Sequence, residues 1–386
     1  MKILFLDQSG KLGGAEISLT DVAQPYRESC LVGLFEDGPL REYLEQRQIP
    51  VRVLAAQPIP VRKDSNLRQS LGGLKAVIPL VATIARTARQ YDLIYANTQK
   101  ALVVGALASV FSRRPLVYHL RDILSADHFS PTNRRLAVTL ANRFSSVVIA
   151  NSYATRTAFI EAGGRSEITE VVYNGFAPKN YNTQESEIDR LRQELRLNGT
   201  FVVGHFSRLS PWKGQHVLLE ALARCPKDVT ALLVGDALFG EQEYVAHLHQ
   251  QVAELGLQER VRFLGFRSDV IPLMAACDLI AHTSTAPEPF GRVIVEAMLC
   301  QRPTIAAAAG GALELVEPGK TGWLVPPGDT PALAQVISMC REDSELAARI
   351  AARGRIEASE RFGLSNTREK IDRLVQAIAV SPSRAG

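Results

Sequence analysis

The chain lacks the features that mark several large classes of protein. Its five cysteines form no CxxC pair and no cluster with histidine, and an odd number without a framework indicates reduced thiols. The longest apolar run, Ala101 to Phe111, is well short of the roughly 18 residues that a membrane span requires. The opening Met1 to Asp7 leads into a strand with no cleavable site of small residues. We therefore expect a cytoplasmic protein without a signal peptide.

Three phosphate-binding patterns are also missing. No Asp-x-Asp triplet occurs, so a divalent ion held by two carboxylates against a diphosphate is not expected, and we predict no metal. A P-loop is excluded because Glu314 occupies the upstream glycine position of Gly319-Lys320-Thr321. The segment Gly10 to Glu16 does not have the GxGxxG spacing, and no acidic residue about 20 positions later ends a strand, which disfavours a nicotinamide-cofactor site.

What is present is the composition of a soluble globular protein with an uneven charge distribution. Hydrophobic residues make up 46% of the 386 residues and charged residues 22%, enough for two or three domains with cores of their own. Residues 1–180 carry 22 Lys+Arg against 15 Asp+Glu, and residues 181–386 carry 22 against 25. The front half therefore favours an anionic partner, either an acidic acceptor or a membrane surface contacted from the cytoplasmic side. Because its cations are scattered, no nucleic-acid groove is indicated.

Short runs of Val, Ile, Leu and Phe alternate with longer segments of helical period, which is typical of parallel sheets wrapped by helices. The predicted strands lie near 2–6, 30–35, 51–54, 93–95, 116–118, 147–149, 169–172, 201–205, 231–234, 262–264, 279–282, 304–306 and 322–325. The pattern breaks around Asn174 to Ser186, so we predict two domains, 1–178 and 179–363. A helical tail over about 364–380 can pack on either domain and is assigned to the first. The fold class is thus α/β, with two Rossmann-like doubly wound domains facing a central cleft.

Candidate functional residues of the front domain follow its strands. Gly13 and Gly14 precede a predicted helix start, where free backbone N–H groups favour an anion, although a glycine-rich turn of this kind is often only structural. His119 ends a strand and is placed to donate to a sugar hydroxyl, although a single histidine at such a position is more often structural. The stretch Gln57 to Gly73 is read as a long irregular loop, of the kind that is often functional.

The back domain carries the stronger candidates. Arg208 and Lys213 follow its first strand and bring two cations to a helix start, where a diphosphate can bind; the alternative is a pair of solvated surface cations. Glu288 lies in a loop, and Glu296 lies a little over one turn into the helix that starts near Gly291. A carboxylate in that turn can accept two ribose hydroxyls while the neighbouring amides face phosphate.

Taken in order, Gly13-Gly14-Ala15-Glu16, His119, Asn174-Gly175, Arg208 with Lys213-Gly214, and Glu288 through Glu296 resemble the retaining glycosyltransferases of family 4, which have the GT-B fold. The resemblance covers nearly the whole chain. It is most specific in the back half, where Gly-x-x-x-Arg-Leu-x-x-x-Lys-Gly, Leu233 to Asp236, Val261 to Phe266 and Glu-x7-Glu follow in the family's order.

The resemblance implies a role for each matched position. Arg208 and Lys213 would neutralise the donor diphosphate, helped by the Gly14, Phe290 and Gly291 amides. Glu296 would bind the ribose, Glu288 would orient the transferred sugar, His119 would contact it from the front domain, and the backbone near Phe266 and Arg267 would edge the base. Gly13, Gly14 and Glu16 would contribute to the acceptor site.

The implied activity is metal-independent transfer of a hexose or hexose derivative from a nucleotide diphosphate sugar, with UDP favoured over GDP, to a glycan or lipid-linked glycan. No further cofactor is expected. Cell-surface polysaccharide synthesis is the natural setting, and a peripheral membrane contact of the front domain would fit it. Two alternatives remain: an epimerase of the same fold, which would convert the donor without an acceptor, and a non-catalytic sugar-binding subunit.

Overall fold

The computed structural model describes residues 1–54, 67–125, 129–237 and 240–380, and forms two parallel sheets with flanking helices. The described strands are β1 Ile3–Asp7, β2 Cys30–Leu34, β3 Val51–Val53, β4 Leu93–Ala96, β5 Leu116–Leu120, β6 Ser145–Ala150, β7 Thr169–Val171, β8 Phe201–Phe206, β9 Val229–Val234, β10 Val261–Gly265, β11 Leu279–His282, β12 Thr304–Ala307 and β13 Trp323–Val325. Every strand predicted from the sequence is present within one or two residues of these bounds. The predicted α/β class is confirmed.

The helices alternate with the strands along the chain. Their bounds are α1 Gly14–Ala23, α2 Pro39–Glu45, α3 Leu67–Ala88, α4 Gln99–Ser112, α5 Pro131–Phe144, α6 Tyr153–Glu161, α7 Glu185–Glu194, α8 Gln215–Arg224, α9 Gln242–Glu254, α10 Val270–Ala275, α11 Arg292–Leu299, α12 Ala312–Leu315, α13 Thr330–Glu342, α14 Ser344–Arg361 and α15 Leu364–Val380. Several begin at a side-chain cap, because Thr98, Ser130 and Ser152 each accept a hydrogen bond from a first-turn amide.

The first compact unit comprises Met1–Gly175 together with the residues from Leu364 onward. Its sheet has the strand order β3-β2-β1-β4-β5-β6-β7 with all neighbours parallel. Apolar side chains are buried on both faces of this sheet, one face under α3, α4 and α5 and the other under α1 and α15. Because both faces are covered, the strands are almost continuously apolar.

Helix α15 belongs to the first unit although it follows the second in sequence. Ile371 and Val375 are buried in the core beside β1 and β4. The Tyr26 hydroxyl donates to Asp372 Oδ1 at 2.7 Å, and Arg368 Nε donates to the Asp21 carbonyl at 2.9 Å. The chain therefore returns to its first sheet after completing the second unit.

The second unit, Phe176–Gly363, repeats the architecture with the strand order β10-β9-β8-β11-β12-β13. Its core brings residues of β8, β9 and β11 together with α8, α9 and α13. In both units the strand order reverses beside the first strand, between β1 and β4 and between β8 and β11. Open parallel sheets bind their ligands at such reversals, at the carboxyl ends of the strands.

One element differs from its prediction. Helix α3 begins at Leu67, so the last part of the stretch Gln57 to Gly73, predicted as an irregular loop, is helical. The rest of that stretch, 57–66, lies outside the described residues. The reason for the error is local: the pair Gly72-Gly73 is disfavoured in a helix by about 1 kcal/mol per glycine, and long helices tolerate such a cost.

Candidate active site

A largely buried ion pair lies at the strand-order reversal of the second unit, with the Lys213 side chain 15% and the Glu288 side chain 12% exposed. The Lys213 ammonium, just before α8, lies 2.7 Å from Glu288 Oε2 and donates to Oε1 at 3.0 Å. His282, the last residue of β11, lies with Nε2 3.3 Å from Glu288 Oε2, and the Ser284 hydroxyl donates to the same oxygen at 3.1 Å. The structure thus brings Lys213 and Glu288 together, as two predicted site residues, and adds His282 and Ser284.

This network keeps Glu288 ionised. Burial by itself raises the pKa of the Glu288 carboxyl, but the Lys213 charge and the hydrogen bond from His282 outweigh it and hold the pKa well below its ordinary value. A buried carboxylate with fixed partners has a defined orientation and a permanent negative charge. Such a group can accept hydrogen bonds from ligand hydroxyls, while its lysine partner can interact with a second anion.

Trp212 connects the two predicted cations. Lys213 Nζ lies 4.0 Å from the centroid of the Trp212 ring, and Arg208 Cζ lies 5.7 Å from it. Arg208 Nε also lies 3.9 Å from Glu241 Oε2. The two cations therefore lie near the same aromatic ring, close enough for both to act on one polyanion. The sequence analysis singled out the cations but missed Trp212 and Glu241.

Close backbone packing fixes the Lys213 turn against the loop after β11. Gly214 has φ +71°, and a Cβ there would lie 1.9 Å from the Thr283 carbonyl oxygen. The Thr283 hydroxyl donates to the Gly214 carbonyl at 2.7 Å, and His205 Nε2 lies 3.0 Å from the Thr283 hydroxyl oxygen. Burial, with the nearby charge of His282, lowers the pKa of His205 to about 3, so this ring is a neutral structural partner.

A second glycine supports Glu288 itself. Gly310 has φ +61°, and a Cβ there would lie 2.3 Å from the Glu288 carbonyl oxygen and 2.7 Å from its nitrogen. The Gly311 amide donates to the same carbonyl at 2.7 Å. Glu288 is therefore positioned by its backbone as well as by its side chain.

The helix after Glu288 begins as the sequence predicts. Gly291 caps α11 in the left-handed conformation, with φ +96°. The Phe290 ring is buried, stacked on Phe176 with centroids 6.2 Å apart, and this packing fixes the direction of the amides at the helix start. Glu296 lies in α11 and pairs with Arg292 at 3.2 Å, and both side chains are partly accessible. The amide cluster and the Glu296 carboxylate thus lie on consecutive turns.

Phe266 and Arg267 lie apart from this cluster. They follow β10, which β9 separates from β8 in the sheet. Phe266 is 70% exposed, and Arg267 forms a bidentate pair with Asp269 at 2.6 and 2.7 Å. An exposed aromatic ring at the carboxyl edge of the sheet is available to a ligand, and the backbone beside it is held by the Arg267 pair.

In the first unit, the predicted turn forms the amino end of α1. Gly13 caps the helix with an extended backbone, and Gly14 is exposed. The Glu16 side chain folds back toward Gly13. Its Oε2 lies so close that a Cβ added at Gly13 would be only 2.7 Å from it. Burial and the charge of Asp7 raise the pKa of the Glu16 carboxyl to about 7. The three predicted residues Gly13, Gly14 and Glu16 therefore form one group, with an acid that titrates near neutral pH.

A polar network joins the strand ends of this sheet. Asn97 donates to Asp7 Oδ2 at 2.7 Å and accepts from Arg121 Nε at 3.0 Å. Arg121 also donates to Asn174 Oδ1 at 2.7 Å. These residues follow or end β1, β4, β5 and β7 and are all buried. This network was not predicted, although a polar residue at the end of each apolar strand, or within three residues after it, was the available signal.

His119 lies within β5 and is only 2% exposed. Its Nδ1 is 2.5 Å from the Tyr95 hydroxyl oxygen, and its Nε2 is buried with no hydrogen-bond partner in the described part of the chain. Burial, with a smaller effect of the Arg121 charge, lowers the pKa of the imidazole well below its ordinary value. The ring is therefore a neutral imidazole.

Across the described residues, no three His, Cys, Asp or Glu side chains are grouped so that they could hold a metal ion. Among the helices described, none is both long and apolar enough to cross a membrane.

Two family models match the chain. The model "Glycosyl transferase 4-like domain" matches residues 13–175, and the model "Glycosyl transferases group 1" matches residues 187–357. Each match falls within one of the two sheets and its helices.

Solved structures and curated relatives agree with these models. The crystal structure of Anabaena Alr3699/HepE in complex with UDP-glucose is 61% identical, covers 98% of this chain and 100% of that chain, and superposes with a TM-score of 0.92. The Rhizobium meliloti lipopolysaccharide core biosynthesis glycosyltransferase LpsE is 34% identical over 50% of this chain and 54% of its own length. Spore coat protein SA of Bacillus subtilis is 31% identical over 59% of this chain and 63% of its own length. The chain thus spans between about half and two thirds of these two curated relatives.

Proposed function

Because the chain belongs to the glycosyltransferases of family 4, which have the GT-B fold, we propose that it transfers a hexose or hexose derivative from a UDP-sugar to a glycan or lipid-linked glycan. We further propose that the anomeric configuration is retained and that no metal ion is needed. The UDP-glucose bound to Anabaena HepE, at 61% identity over nearly the full chain, supports UDP over GDP as the donor nucleotide.

The largely buried pair of Lys213 and Glu288 is the observation that carries the proposal. A departing diphosphate accumulates negative charge, and a preorganised ammonium lowers the barrier by stabilising that charge. Lys213, with Arg208 beside the same Trp212 ring, provides fixed positive charge that a metal ion provides in other enzymes. Glu288, ionised and held from three sides, would orient the sugar through its hydroxyls.

The amino end of α11 would complete the donor site. The amides of Phe290 and Gly291 would face the diphosphate, and the Glu296 carboxylate would accept the ribose hydroxyls. The backbone beside Phe266 and Arg267 would border the base. The Glu296 carboxylate already has one cationic partner, Arg292, which contacts its Oε1 and leaves its second oxygen for a ligand.

The first unit would bind the acceptor. Gly13, Gly14 and Glu16 form the helix start that would contact it, and the exposed Gly14 would add an amide to the diphosphate site. His119 would donate from Nε2 to a hydroxyl of the transferred sugar. In the transfer step the C1–O bond to the diphosphate breaks, a C1–O bond to the acceptor forms on the same face, and the departing phosphate takes the acceptor proton.

The setting we propose is cell-surface polysaccharide synthesis. The name of the R. meliloti relative, a lipopolysaccharide core glycosyltransferase, supports it. A lipid-linked glycan acceptor would require that the enzyme work at a membrane surface.

A thermal-shift experiment in EDTA tests the donor site first. UDP, GDP, ADP and their sugars are added to the wild type, to Glu296→Ala and to the exposed control Glu317→Ala. Ligand at 100 times its dissociation constant stabilises a protein by about 2.7 kcal/mol, which is readily measured. We expect UDP and a UDP-sugar to stabilise the wild type and the control but not Glu296→Ala. Stabilisation that requires added metal, or that survives in Glu296→Ala, would contradict the proposed site.

Product analysis then tests the reaction. Incubation of the stabilising UDP-sugar with glycan acceptors should release UDP and give a glycoside whose anomeric configuration, read by NMR, equals that of the donor. Conversion of the donor alone into an isomer would instead show an epimerase.

A further inference from the structure

The segment that carries Arg208 is held by main-chain hydrogen bonds and by side chains. The amides of Ser207 and Leu209 donate to carbonyls at the end of β9 and just beyond it, at 3.0 and 2.9 Å. The Arg208 carbonyl accepts instead from two side chains, Gln215 Nε2 at 2.9 Å and the Ser207 hydroxyl at 3.0 Å. The position of the Arg208 backbone therefore depends on Gln215, which belongs to another element.

Gln215 is the first residue of α8 and is fully buried. Its amide nitrogen donates to the Ser207 hydroxyl at 2.8 Å as well as to the Arg208 carbonyl. A buried amide that lost its partners would leave unsatisfied polar groups, so hydrogen bonds of this kind favour one arrangement of the chain. Both donated hydrogen bonds of Gln215 thus fasten the start of α8 to the Arg208 segment.

Tyr244 of α9 determines which way the Gln215 amide faces. Its hydroxyl donates to Gln215 Oε1 at 3.2 Å. Burial raises the pKa of the Tyr244 phenol to about 12, so the proton that this bond needs is present at neutral pH. The Tyr244 oxygen is itself held by the His216 amide, which donates to it at 3.3 Å. Because its oxygen accepts from Tyr244, the Gln215 side chain presents its NH₂ group to Arg208 and Ser207.

Arg208 has to be placed accurately if it is to act on a diphosphate together with Lys213. The Coulomb energy of a cation and an anion falls with the distance between them, and a shift of about 1 Å in a positioned group can cost much of its effect. The Arg208 side chain is 31% exposed, with Cζ 5.7 Å from the centroid of the Trp212 ring. The starting point of so long a side chain is fixed by its backbone, which Gln215 holds.

We propose that Gln215 is a positioning residue for Arg208 and that Tyr244 holds the Gln215 amide in the orientation that this requires. Gln215 is fully buried, so it acts on the donor diphosphate only through Arg208. Through Tyr244, α9 contributes to phosphate binding although it carries none of the proposed donor residues. The inference rests on the proposed function, in which Arg208 contacts the donor diphosphate.

Two variants of the full chain remove the support from different helices. Gln215→Met replaces the amide by an apolar side chain of similar size, and Tyr244→Phe removes only the hydroxyl that orients the amide. The matched control is Gln251→Met on α9, because the Gln251 amide also donates twice, to a carbonyl and a carboxylate of α8 at 3.2 and 3.4 Å, outside the Arg208 segment. Calorimetric titration gives the dissociation constant of UDP, and ligand-observed NMR gives that of uridine, which has no phosphate.

We expect the dissociation constant of UDP to rise roughly tenfold in Gln215→Met, since a displaced Arg208 loses about one charged hydrogen bond to phosphate, and to rise less in Tyr244→Phe. Uridine should bind both variants as it binds the wild type, because it has no phosphate for Arg208 to contact. A side chain that merely stabilised the fold would weaken UDP and uridine together. The control should bind both ligands normally, and thermal unfolding checks that each variant is folded.

A double-mutant cycle shows whether Gln215 acts through Arg208. Arg208→Ala alone should weaken the binding of UDP. Adding Gln215→Met to it should change the dissociation constant by less than about twofold, because the group that Gln215 positions is already gone.

Three results would overturn the inference and leave the proposed function standing. They are normal UDP binding in Gln215→Met and Tyr244→Phe, equal weakening of UDP and uridine, and an undiminished effect of Gln215→Met in the Arg208→Ala background. If Gln215→Met does not fold, Tyr244→Phe decides between these outcomes. Failure of UDP to bind the wild type would instead contradict the proposed donor site, and the inference with it.

Discussion

At the scale of single residues, Lys213 has a proposed catalytic role and a structural role, and different measurements separate the two. In Lys213→Ala the diphosphate loses its fixed cation, and we expect kcat to fall by the equivalent of about 2–4 kcal/mol. The buried Glu288 carboxylate also loses its ion-pair partner, so the free energy of unfolding at neutral pH should fall by roughly 3–5 kcal/mol. Turnover with saturating donor and urea unfolding measure the two effects.

The double variant Lys213→Ala/Glu288→Gln serves as the internal control. It removes both buried charges, so it should recover much of the stability but none of the activity. Lys320→Ala, which removes an exposed lysine paired with Glu317, should leave both quantities unchanged. Normal turnover of Lys213→Ala would exclude this lysine from the site.

Glu16 predicts a pH dependence of stability in the first unit. Its pKa is raised to about 7 from 4.5, mainly by burial and then by Asp7, so the folded chain binds this proton more tightly than the unfolded chain. The stabilisation is complete below pH 4.5 and is lost as the pH rises to about 7. The unfolding free energy of the wild type relative to Glu16→Gln should therefore decrease over that window and stay constant above it.

Urea unfolding at a series of pH values checks this trend, with Glu42→Gln on the exposed side of α2 as the control. If the unfolding free energy of the wild type instead increases with pH relative to that of Glu16→Gln, the folded state stabilises the charged form of the carboxyl. In that case Glu16 would act as a permanent anion at the helix start.

Tyr95 determines which nitrogen of His119 carries the proton. Burial raises the pKa of the Tyr95 phenol, so its hydroxyl stays protonated, and His119 Nδ1 is its hydrogen-bond partner. We therefore expect the hydroxyl to donate to Nδ1, with the proton of the neutral imidazole on Nε2. In Tyr95→Phe this preference is lost, and kcat should fall roughly tenfold, about 1.4 kcal/mol, which is the effect of one hydrogen bond.

Nitrogen-15 NMR of the histidine side chains reads the tautomer without any substrate. The control is Tyr118→Phe, which changes a buried tyrosine on the opposite face of the same sheet. An Nδ1–H tautomer in the wild type would show that the ring donates to the Tyr95 oxygen instead, contrary to the expectation. An equal loss of kcat in both variants would leave Tyr95 with a packing role only.

At the scale of elements, the loop that carries Glu288 depends on a glycine in the next strand connection. Gly310→Ala introduces a Cβ 2.3 Å from the Glu288 carbonyl oxygen at a left-handed position, so the loop must move. We expect the dissociation constant for UDP to rise at least tenfold. Gly319→Ala is the matched control, since Gly319 has φ +73° but no described atom within 4 Å of its Cβ, and it should cost only about 1–2 kcal/mol of stability.

Isothermal titration with UDP and thermal unfolding separate the two effects in both variants. If Gly310→Ala and Gly319→Ala bind UDP equally well, the contact of Gly310 with the Glu288 loop does not matter for the donor site. Both alanines have the same backbone strain at a positive φ, so a difference between the two variants measures the steric overlap at Gly310 alone.

The elements themselves were largely predictable, because buried parallel strands are short apolar runs between turn residues. The strand Leu279–His282, for example, is recognised from four residues and the polar segment after it. Glu288, Gly291 and Glu296 were predictable for a related reason, since a helix start fixes the positions of its neighbours along the chain.

Contacts between distant segments were not predictable. Gly310 joins Glu288 only because β11 and β12 are adjacent in the sheet, which no local pattern records. His282 and Ser284 lie six and four residues before Glu288, and their contacts with it depend on how the loop after β11 turns. The side-chain partner of His119 was missed for the same reason, since Tyr95 lies on another strand. The start of helix α3 at Leu67 was missed because the pair Gly72-Gly73 lowers the helical preference of that stretch.

At the scale of the whole molecule, each unit has its own hydrophobic core and the chain passes between them twice. Ile371, near the end of the chain, is buried in the core of the first unit, whereas Ile337, which precedes it, is buried in the core of the second. Helix α15 therefore follows the second unit in sequence but belongs to the core of the first unit. A protein of this kind is expected to unfold in two overlapping steps, one for each core.

Matched isoleucine variants test this organisation. Ile371→Ala and Ile337→Ala each remove a fully buried side chain, at a cost of about 2–5 kcal/mol. In scanning calorimetry we expect them to lower different transitions, and UDP to raise only the transition that Ile337→Ala lowers, because the proposed donor residues belong to the second unit. A single transition shifted equally by both variants would show that the cores unfold as one cooperative unit, and α15 would then be its link.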